Sequence, residues 1–238
     1  MKKIPKNFHI IAFTLLIIAT IALFMNPINR TATNLLMITS LIALWIYILF
    51  LTYKNKIIKI TLILLPIILL AFLSLNGPLI DKEFVRDEYV NSLKKYNGTK
   101  YLWGGETSLG IDCSGLVRRG LIDTYIRLGI LNMSPQYIRK GIYLWFNDLS
   151  AEALGNEYRN YTTLILSNQT LNNTDYEKIK KGDIMVTTNG IHTMVYIGNQ
   201  EWIQADPAKQ RVFISKAPDE NNPWYKASSN ILRWSDLE

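Results

Sequence analysis

The hydrophobic pattern divides the chain into two parts. Three almost wholly apolar runs come first, over about residues 9–25, 34–53 and 57–75, and Lys59 is the only acidic or basic residue within them. As helices, runs of this length cross the hydrocarbon core of a bilayer, which is about 30 Å thick. We therefore predict three transmembrane helices and a membrane anchor over residues 1–76. A cleaved signal peptide is the alternative for the first run, although no convincing small-residue cleavage site follows it.

Beyond the third run, the apolar positions follow shorter helical and strand periods. Apolar residues recur at helical spacing over Lys82–Tyr96 and again after Cys113, while residues 184–206 contain short runs typical of strands. Gln136–Leu154 is expected to be helical as well. We predict one α+β domain over residues 77–238, in which helices pack on a small antiparallel sheet.

Charge is distributed unevenly between the two parts. Of 26 basic and 19 acidic residues in the 238-residue chain, residues 1–76 hold seven basic ones and no acidic one, so the remainder is formally neutral. The basic residues next to the first run and before the third run are Lys2, Lys3, Lys6, Lys54 and Lys56. The positive-inside rule therefore places the N-terminus in the cytoplasm and the chain beyond residue 76 outside it. The net positive charge reflects this topology, and we exclude nucleic acid as a partner.

The candidate chemistry begins at the only cysteine. Cys113 follows Asp112 at the predicted start of a helix, where aspartate is a favoured N-cap residue. A helix N-terminus stabilises negative charge and lowers the pKa of a thiol placed there. The alternative for a lone cysteine is a small buried apolar side chain. Position alone leaves both interpretations open.

A histidine and a glutamine lie downstream in two predicted strands. His192 precedes a turn around Gly198–Gln200, and Gln204 follows it. If the loop holds an odd number of residues, the two side chains point to the same face, because side chains alternate along a strand. A cysteine, a histidine that takes its proton and a polar side chain that orients the histidine form a catalytic triad. An isolated histidine would more often be a surface or capping residue, but the combination favours catalysis.

These motifs resemble those of the NlpC/P60 family, papain-like cysteine peptidases of bacterial cell-wall metabolism. The matching pieces, over roughly residues 83–215, are Tyr101-x-x-Gly104-Gly105, Asp112-Cys113-Ser114-Gly115, Gly182-Asp183, and His192 followed by Tyr196-Ile197-Gly198. The resemblance implies a papain-like domain whose cysteine lies at a helix N-terminus packed on a small antiparallel sheet, preceded by the three transmembrane helices.

The resemblance also implies roles for individual residues. Cys113 would be the nucleophile, His192 the general base, and Gln204 the polar residue that orients the histidine. Tyr101 would help to stabilise the oxyanion. The residues implied to line the substrate cleft are Trp103, Gly104, Asp112 and Ser114.

Two features depart from the family pattern. Gln204 occupies a position where histidine is common, and His192 lies 79 residues after Cys113, which is longer than usual. The extra chain is expected at about residues 130–180. Within it, Gly155–Asp175 is polar and rich in asparagine and threonine. Because long loops inside compact domains are functional or mobile, we expect this segment to form a lid over the cleft.

The implied reaction is hydrolysis of an amide bond in a peptidoglycan stem peptide through a thioester acyl-enzyme, at the bacterial cytoplasmic membrane. The lipid bilayer is then a second partner, an envelope protein partner is left open, and no metal or cofactor is expected. Two alternatives stay open. One is a thiol hydrolase or acyltransferase that acts on a different amide or acyl bond, and the other is a non-catalytic binding module of the cell envelope.

Overall fold

The structure, a computed structural model, describes residues 6–238. This part of the chain begins with three long apolar helices. They are α1 (Lys6–Phe24), α2 (Thr31–Thr52) and α3 (Lys56–Ser74). All three are long and apolar enough to cross a membrane, as the hydrophobic pattern predicts. Lys2 and Lys3, on which the orientation prediction partly rests, lie outside the described residues.

Helices and an antiparallel sheet build the rest of the described chain, which confirms the α+β class. The helices are α4 (Lys82–Lys94), α5 (Cys113–Leu131), α6 (Pro135–Phe146), α7 (Ala151–Gly155) and α8 (Pro223–Lys226). The strands are β1 (Glu106–Thr107), β2 (Gly110–Ile111), β3 (Thr162–Gln169), β4 (Ile184–Thr187), β5 (Thr193–Gly198), β6 (Glu201–Asp206), β7 (Arg211–Lys216) and β8 (Ser229–Trp234). β1 and β2 pair with each other, and the other six strands form one sheet in the order β3-β8-β4-β5-β6-β7.

The main core lies between helices α4 and α5 and one face of the sheet. Asp81 caps α4 by accepting a hydrogen bond from the N–H of Phe84 at 3.0 Å, and the helix then buries Tyr89 and Leu93. α5 buries its own apolar stripe, including Leu116, in the same core. Because α5 packs against β5 and β6, its first turn lies near the strands that follow His192.

Of two predictions for the middle of the chain, one is confirmed in part and one is wrong. Gln136–Leu154 is helical as predicted, but in two helices, α6 and α7, because Ser150 starts a new helix by accepting a hydrogen bond from the N–H of Ala153 at 3.1 Å. Gly155–Asp175 is not a lid, because it contains β3, the edge strand paired with β8. Half of an edge strand faces solvent, so its polar composition cannot be told from that of a loop.

The β5–β6 hairpin decides where His192 and Gln204 point. Its turn residues Asn199 and Gln200 have φ angles of 54° and 62°, which is typical of the tight turns that join antiparallel strands. Gly198, with φ of 99°, adds an irregularity to the strand pairing. The bulge adds one residue between the paired parts of the two strands, so the number of residues in the connection is odd. His192 and Gln204 therefore point to the same face of the sheet.

The three apolar helices are joined to the domain by more than the connecting chain. Arg139 of α6 donates a hydrogen bond to the carbonyl oxygen of Leu75, just after α3, at 2.6 Å. Asn34 in the first turn of α2 is buried and donates to the carbonyl oxygen of Trp145 at 3.3 Å. Polar contacts therefore fix the domain against one end of these helices.

Candidate active site

Cys113 is the first residue of α5 and is 8% exposed. Asp112 caps the helix as predicted, since its Oδ1 accepts a hydrogen bond from the N–H of Gly115 at 2.6 Å. Position 115 requires glycine, because a Cβ there would overlap the carbonyl oxygen of Gly105. The loop before the cysteine therefore packs directly on the first turn of the helix.

The predicted direction of the Cys113 pKa shift is wrong. Burial raises the pKa of the thiol to about 12, and the neighbouring Asp112 carboxylate acts in the same direction. Hydrogen bonds from the backbone N–H groups of Thr193, Ser114 and Cys113 act in the opposite direction, as expected at a helix N-terminus, but they are outweighed. The free protein therefore holds a neutral thiol at pH 7.

His192 lies just before β5 and is 1% exposed. Its Nε2 is 2.8 Å from Oε1 of Gln204, and Nε2 of Gln204 donates to Oγ of Ser215 at 3.4 Å. Because an amide oxygen only accepts hydrogen bonds, Nε2 of His192 carries the proton and Nδ1 is the basic nitrogen. Burial lowers the pKa of His192 to about 4, so the imidazole is neutral at pH 7.

The structure brings the predicted catalytic residues to one place. The backbone N–H of Thr193, which follows His192 directly, is among the groups that lower the pKa of the Cys113 thiol. Tyr101 is half-buried beside them. Burial raises the pKa of its hydroxyl, and the negative charge of a Cys113 thiolate is the next largest cause. Cys113, His192, Gln204 and Tyr101 thus form one cluster around the start of α5.

Trp224 is a residue of the site that the sequence did not predict. Its ring stacks on the imidazole of His192, with ring centroids 4.1 Å apart and an angle of 20° between the planes. Trp224 belongs to the short helix α8, which no spacing or alternation in the sequence connects with residue 192. The indole ring and the Gln204 amide hold the imidazole from two directions.

A cleft of about 460 Å³ opens at Cys113. The residues implied to line it all do so, namely Trp103, Gly104, Asp112 and Ser114. Trp103 lies at the edge of the cleft and is 75% exposed, so its ring is accessible to a ligand.

Asp112 lines the cleft, but its own chain engages its carboxylate. Oδ2 accepts a hydrogen bond from the N–H of Gly104 at 2.7 Å. Oδ1 accepts one from the hydroxyl of Ser114 at 3.1 Å, in addition to the helix cap. Most of its lone pairs are thus occupied. The carboxylate ties the Gly104 loop to α5, so positioning of that loop is its main contribution.

The remaining walls of the cleft come from three segments that sequence analysis did not connect with the site. They are residues 148–152, residues 189–191, and Asn29 with Arg30 between α1 and α2. The extra chain at about residues 130–180 therefore does contribute to the cleft, although through the start of α7 rather than through a lid.

Arg118, Glu106 and Asp148 form a cluster of ionisable side chains at the cleft, which we call the buried charged group. Nη1 of Arg118 is 3.5 Å from Oε2 of Glu106 and 3.3 Å from Oδ1 of Asp148. Glu106 is 2% exposed, and burial raises the pKa of its carboxyl to about 8 while the charge of Arg118 opposes this shift. Within residues 6–238, no group of three or more His, Cys, Asp or Glu side chains could hold a metal ion.

Residues 98–233, more than half of the chain, match the model of the NlpC/P60 family. A comparison with curated proteins finds no significant match.

Similar solved structures include an NlpC/P60 family protein from Bacillus cereus, with 18% identity over 66% of this chain and 41% of that chain, and a TM-score of 0.41. NlpC1 from Trichomonas vaginalis has 18% identity over 66% of this chain and 46% of that chain, with a TM-score of 0.42. The peptidoglycan hydrolase RipB from Mycobacterium tuberculosis has 18% identity over 66% of this chain and 67% of that chain, with a TM-score of 0.41. The chain spans less than half the length of the Bacillus and Trichomonas chains.

Proposed function

The chain belongs to the NlpC/P60 family, and we propose that it is a membrane-anchored cysteine peptidase that hydrolyses an amide bond in peptidoglycan stem peptides. The observation that carries this proposal is the 2.8 Å contact between Nε2 of His192 and Oε1 of Gln204, next to a cysteine at a helix N-terminus. These are the parts that acyl transfer to a thiol requires, namely a nucleophile, a base and a group that orients the base.

In the proposed mechanism, Sγ of Cys113 attacks the carbonyl carbon of the scissile amide while Nδ1 of His192 takes the thiol proton. Backbone N–H groups at the start of α5 and the Tyr101 hydroxyl stabilise the oxyanion. His192 then protonates the leaving amine, and a thioester forms. His192 next removes a proton from water, which attacks the thioester and releases the carboxylic acid and the thiol.

Both groups are neutral before substrate binds, because burial raises the pKa of Cys113 to about 12 and lowers that of His192 to about 4. A preformed ion pair of thiolate and imidazolium is therefore disfavoured. We propose that proton transfer accompanies the attack on the carbonyl carbon instead of preceding it.

The proposed site of action is the outer face of the bacterial cytoplasmic membrane. The three apolar helices support the anchor, and the basic residues support an N-terminus in the cytoplasm. In a chain with three spans, the loop between α1 and α2 lies on the same side as the chain after α3. The contacts between that loop and the domain agree with this arrangement.

The test uses the full chain in lipid nanodiscs, incubated with purified peptidoglycan, with released fragments identified by mass spectrometry. We expect stem-peptide fragments from the wild type, and a rate at least about a thousandfold lower for Cys113→Ala, because the variant lacks the nucleophile. Lys178→Gln, a change of an exposed side chain outside the cleft, serves as the matched control and should retain activity. Equal release by wild type and Cys113→Ala would contradict the proposal.

An amphiphilic acyl or amide substrate is the second candidate, and one observation favours it. A second cavity, of about 560 Å³, lies between the ends of α1 and α2 and the domain, and its apolar lining includes Phe24, Met37 and Trp145. It shares Asn29 and Glu106 with the catalytic cleft. Cleavage of lipid-linked amides or esters that depends on Cys113, without release of stem-peptide fragments, would favour this candidate.

A further inference from the structure

The loop between α1 and α2, residues 25–30, lies alongside the Gly104–Glu106 segment next to the cleft. Ile28 forms an antiparallel bridge with Gly105. The N–H of Asn29 donates to the carbonyl oxygen of Gly104 at 3.2 Å, and the N–H of Glu106 donates to the carbonyl oxygen of Pro27 at 2.8 Å. The loop is therefore added to this segment in the manner of a strand.

A side chain of the loop also completes the buried charged group. Nδ2 of Asn29 donates a hydrogen bond to Oε2 of Glu106, the oxygen that faces Arg118. A carboxyl group that is 2% exposed needs such partners, because a buried polar group without a hydrogen bond is costly. The loop thus supplies part of the interior of the domain, which a flexible connection between two membrane spans would not do.

The same loop places one cation in the cleft. Arg30 is exposed and lines the cleft together with Asn29. Of the other charged lining residues, Arg118 pairs with Glu106 and with Asp148, and Asp112 is engaged by backbone N–H groups. Glu152 also lines the cleft and is exposed. Within residues 6–238, Arg30 has no ion-pair partner.

We infer that residues 25–30 form a wall of the substrate cleft and that Arg30 binds a carboxylate of the peptide substrate. This inference rests on the proposed function and adds a specificity-determining residue that the anchor provides. The planar guanidinium group matches a carboxylate with two parallel hydrogen bonds. A peptide with a free carboxylate near the scissile amide is therefore preferred over its amidated form.

The first test is independent of hydrolysis and uses the only thiol of the chain as the reporter. The full chain in nanodiscs of zwitterionic lipid is alkylated at pH 9 with anionic iodoacetate and, separately, with neutral iodoacetamide. We expect the ratio of the iodoacetate rate to the iodoacetamide rate to fall at least about threefold in Arg30→Gln, because a nearby cation attracts the anionic reagent. Arg30→Lys keeps the charge and should retain most of the ratio, and Lys178→Gln should leave it unchanged.

The second test measures kcat and KM on paired stem peptides that carry a free or an amidated carboxylate. For Arg30→Gln we expect KM for the free carboxylate to rise about tenfold, the loss of one charge-assisted interaction, and KM for the amidated peptide to stay unchanged. A wild-type reagent ratio together with wild-type KM values in Arg30→Gln would overturn the inference. If the wild type cleaves no peptide but the reagent ratio falls in Arg30→Gln, the proposed function fails while anion binding by Arg30 stands.

Discussion

The imidazole of His192 is held by two residues of different kinds. Oε1 of Gln204 accepts a hydrogen bond from its Nε2–H, while Trp224 stacks on the ring. Neither partner carries a charge, and burial keeps the pKa of His192 near 4. The base is therefore neutral over most of the pH range, which distinguishes this arrangement from a triad whose third member is ionised.

This neutrality predicts a broad pH profile. The active form needs an unprotonated imidazole, with a pKa of about 4, and an un-ionised thiol, with a pKa of about 12. We expect kcat/KM on a stem peptide to rise through about pH 4 and then to stay level beyond pH 9, instead of rising near the ordinary histidine pKa of about 6.5. A half-maximal point at pH 6 or above would contradict this interpretation of the site.

Gln204→Glu is the control for this profile. A carboxylate beside the imidazole stabilises the imidazolium, so the pKa of His192 and the acid limb of the profile should move upward.

The stability of the protein should depend on pH through the same histidine. The folded pKa of His192 lies below the unfolded value, so the unfolded state binds more protons below about pH 6.5. The stabilising contribution is present above that pH and is lost as pH falls towards 4.

At the scale of elements, the junction between the Gly104 loop and α5 depends on one carboxylate. Asp112 accepts hydrogen bonds from the N–H groups of Gly104 and Gly115. Through these two bonds it holds the loop that carries Trp103 against the helix that carries Cys113. The element boundary and the cleft wall are thus set by the same side chain.

Asp112→Ala should lower the free energy of unfolding by about 2 kcal/mol, because it removes a helix cap and leaves the N–H of Gly104 unpaired. Asp112→Asn keeps an oxygen that can cap the helix and should lose about half as much. Thermal unfolding followed by tryptophan fluorescence gives the stability, and amide exchange at Gly104 reports release of the loop. Unchanged exchange at Gly104 in Asp112→Ala would show that other contacts hold the loop.

The local sequence pattern was sufficient to predict some elements of the structure but not others. The helix start at Cys113 follows from the capping residue beside it, and the common face of His192 and Gln204 follows from strand alternation once a bulge is allowed. The lid prediction at Gly155–Asp175 failed because composition cannot separate an edge strand from a loop. The predicted direction of the Cys113 pKa shift was wrong because burial depends on packing between distant segments of the chain. The positions of Trp224 and Arg30 depend on such packing as well.

At the scale of the whole molecule, the three apolar helices and the domain share an interior. Asn29 pairs with the buried Glu106, Asn34 is buried against the carbonyl oxygen of Trp145, and Arg139 binds the end of α3. The domain expected from sequence at residues 77–238 therefore lacks atoms that the structure places in its own cleft.

We expect the fragment 77–238 to have a kcat/KM on a soluble stem peptide at least about tenfold below that of the full chain. Glu106 would lose a hydrogen bond, which costs about 1–3 kcal/mol at a buried polar group, and the cleft would lose Arg30. Asn29→Ala in the full chain is the matched variant, because it removes the contact with Glu106 but keeps the anchor. Equal kcat/KM for fragment and full chain would show that the anchor only localises the enzyme.

The short connection between α3 and α4 limits how far from the bilayer the protein can work. The seven residues from Leu75 to Asp81 would span at most about 24 Å if fully extended, and the Arg139 hydrogen bond to Leu75 prevents much of that extension. In the proposed topology, the catalytic thiol stays at a nearly constant height above the lipid headgroups. Under the proposed function, only wall material in the layer next to the membrane then comes within reach, so the depth of a stem peptide in the wall would decide whether it is cut, in addition to its chemistry.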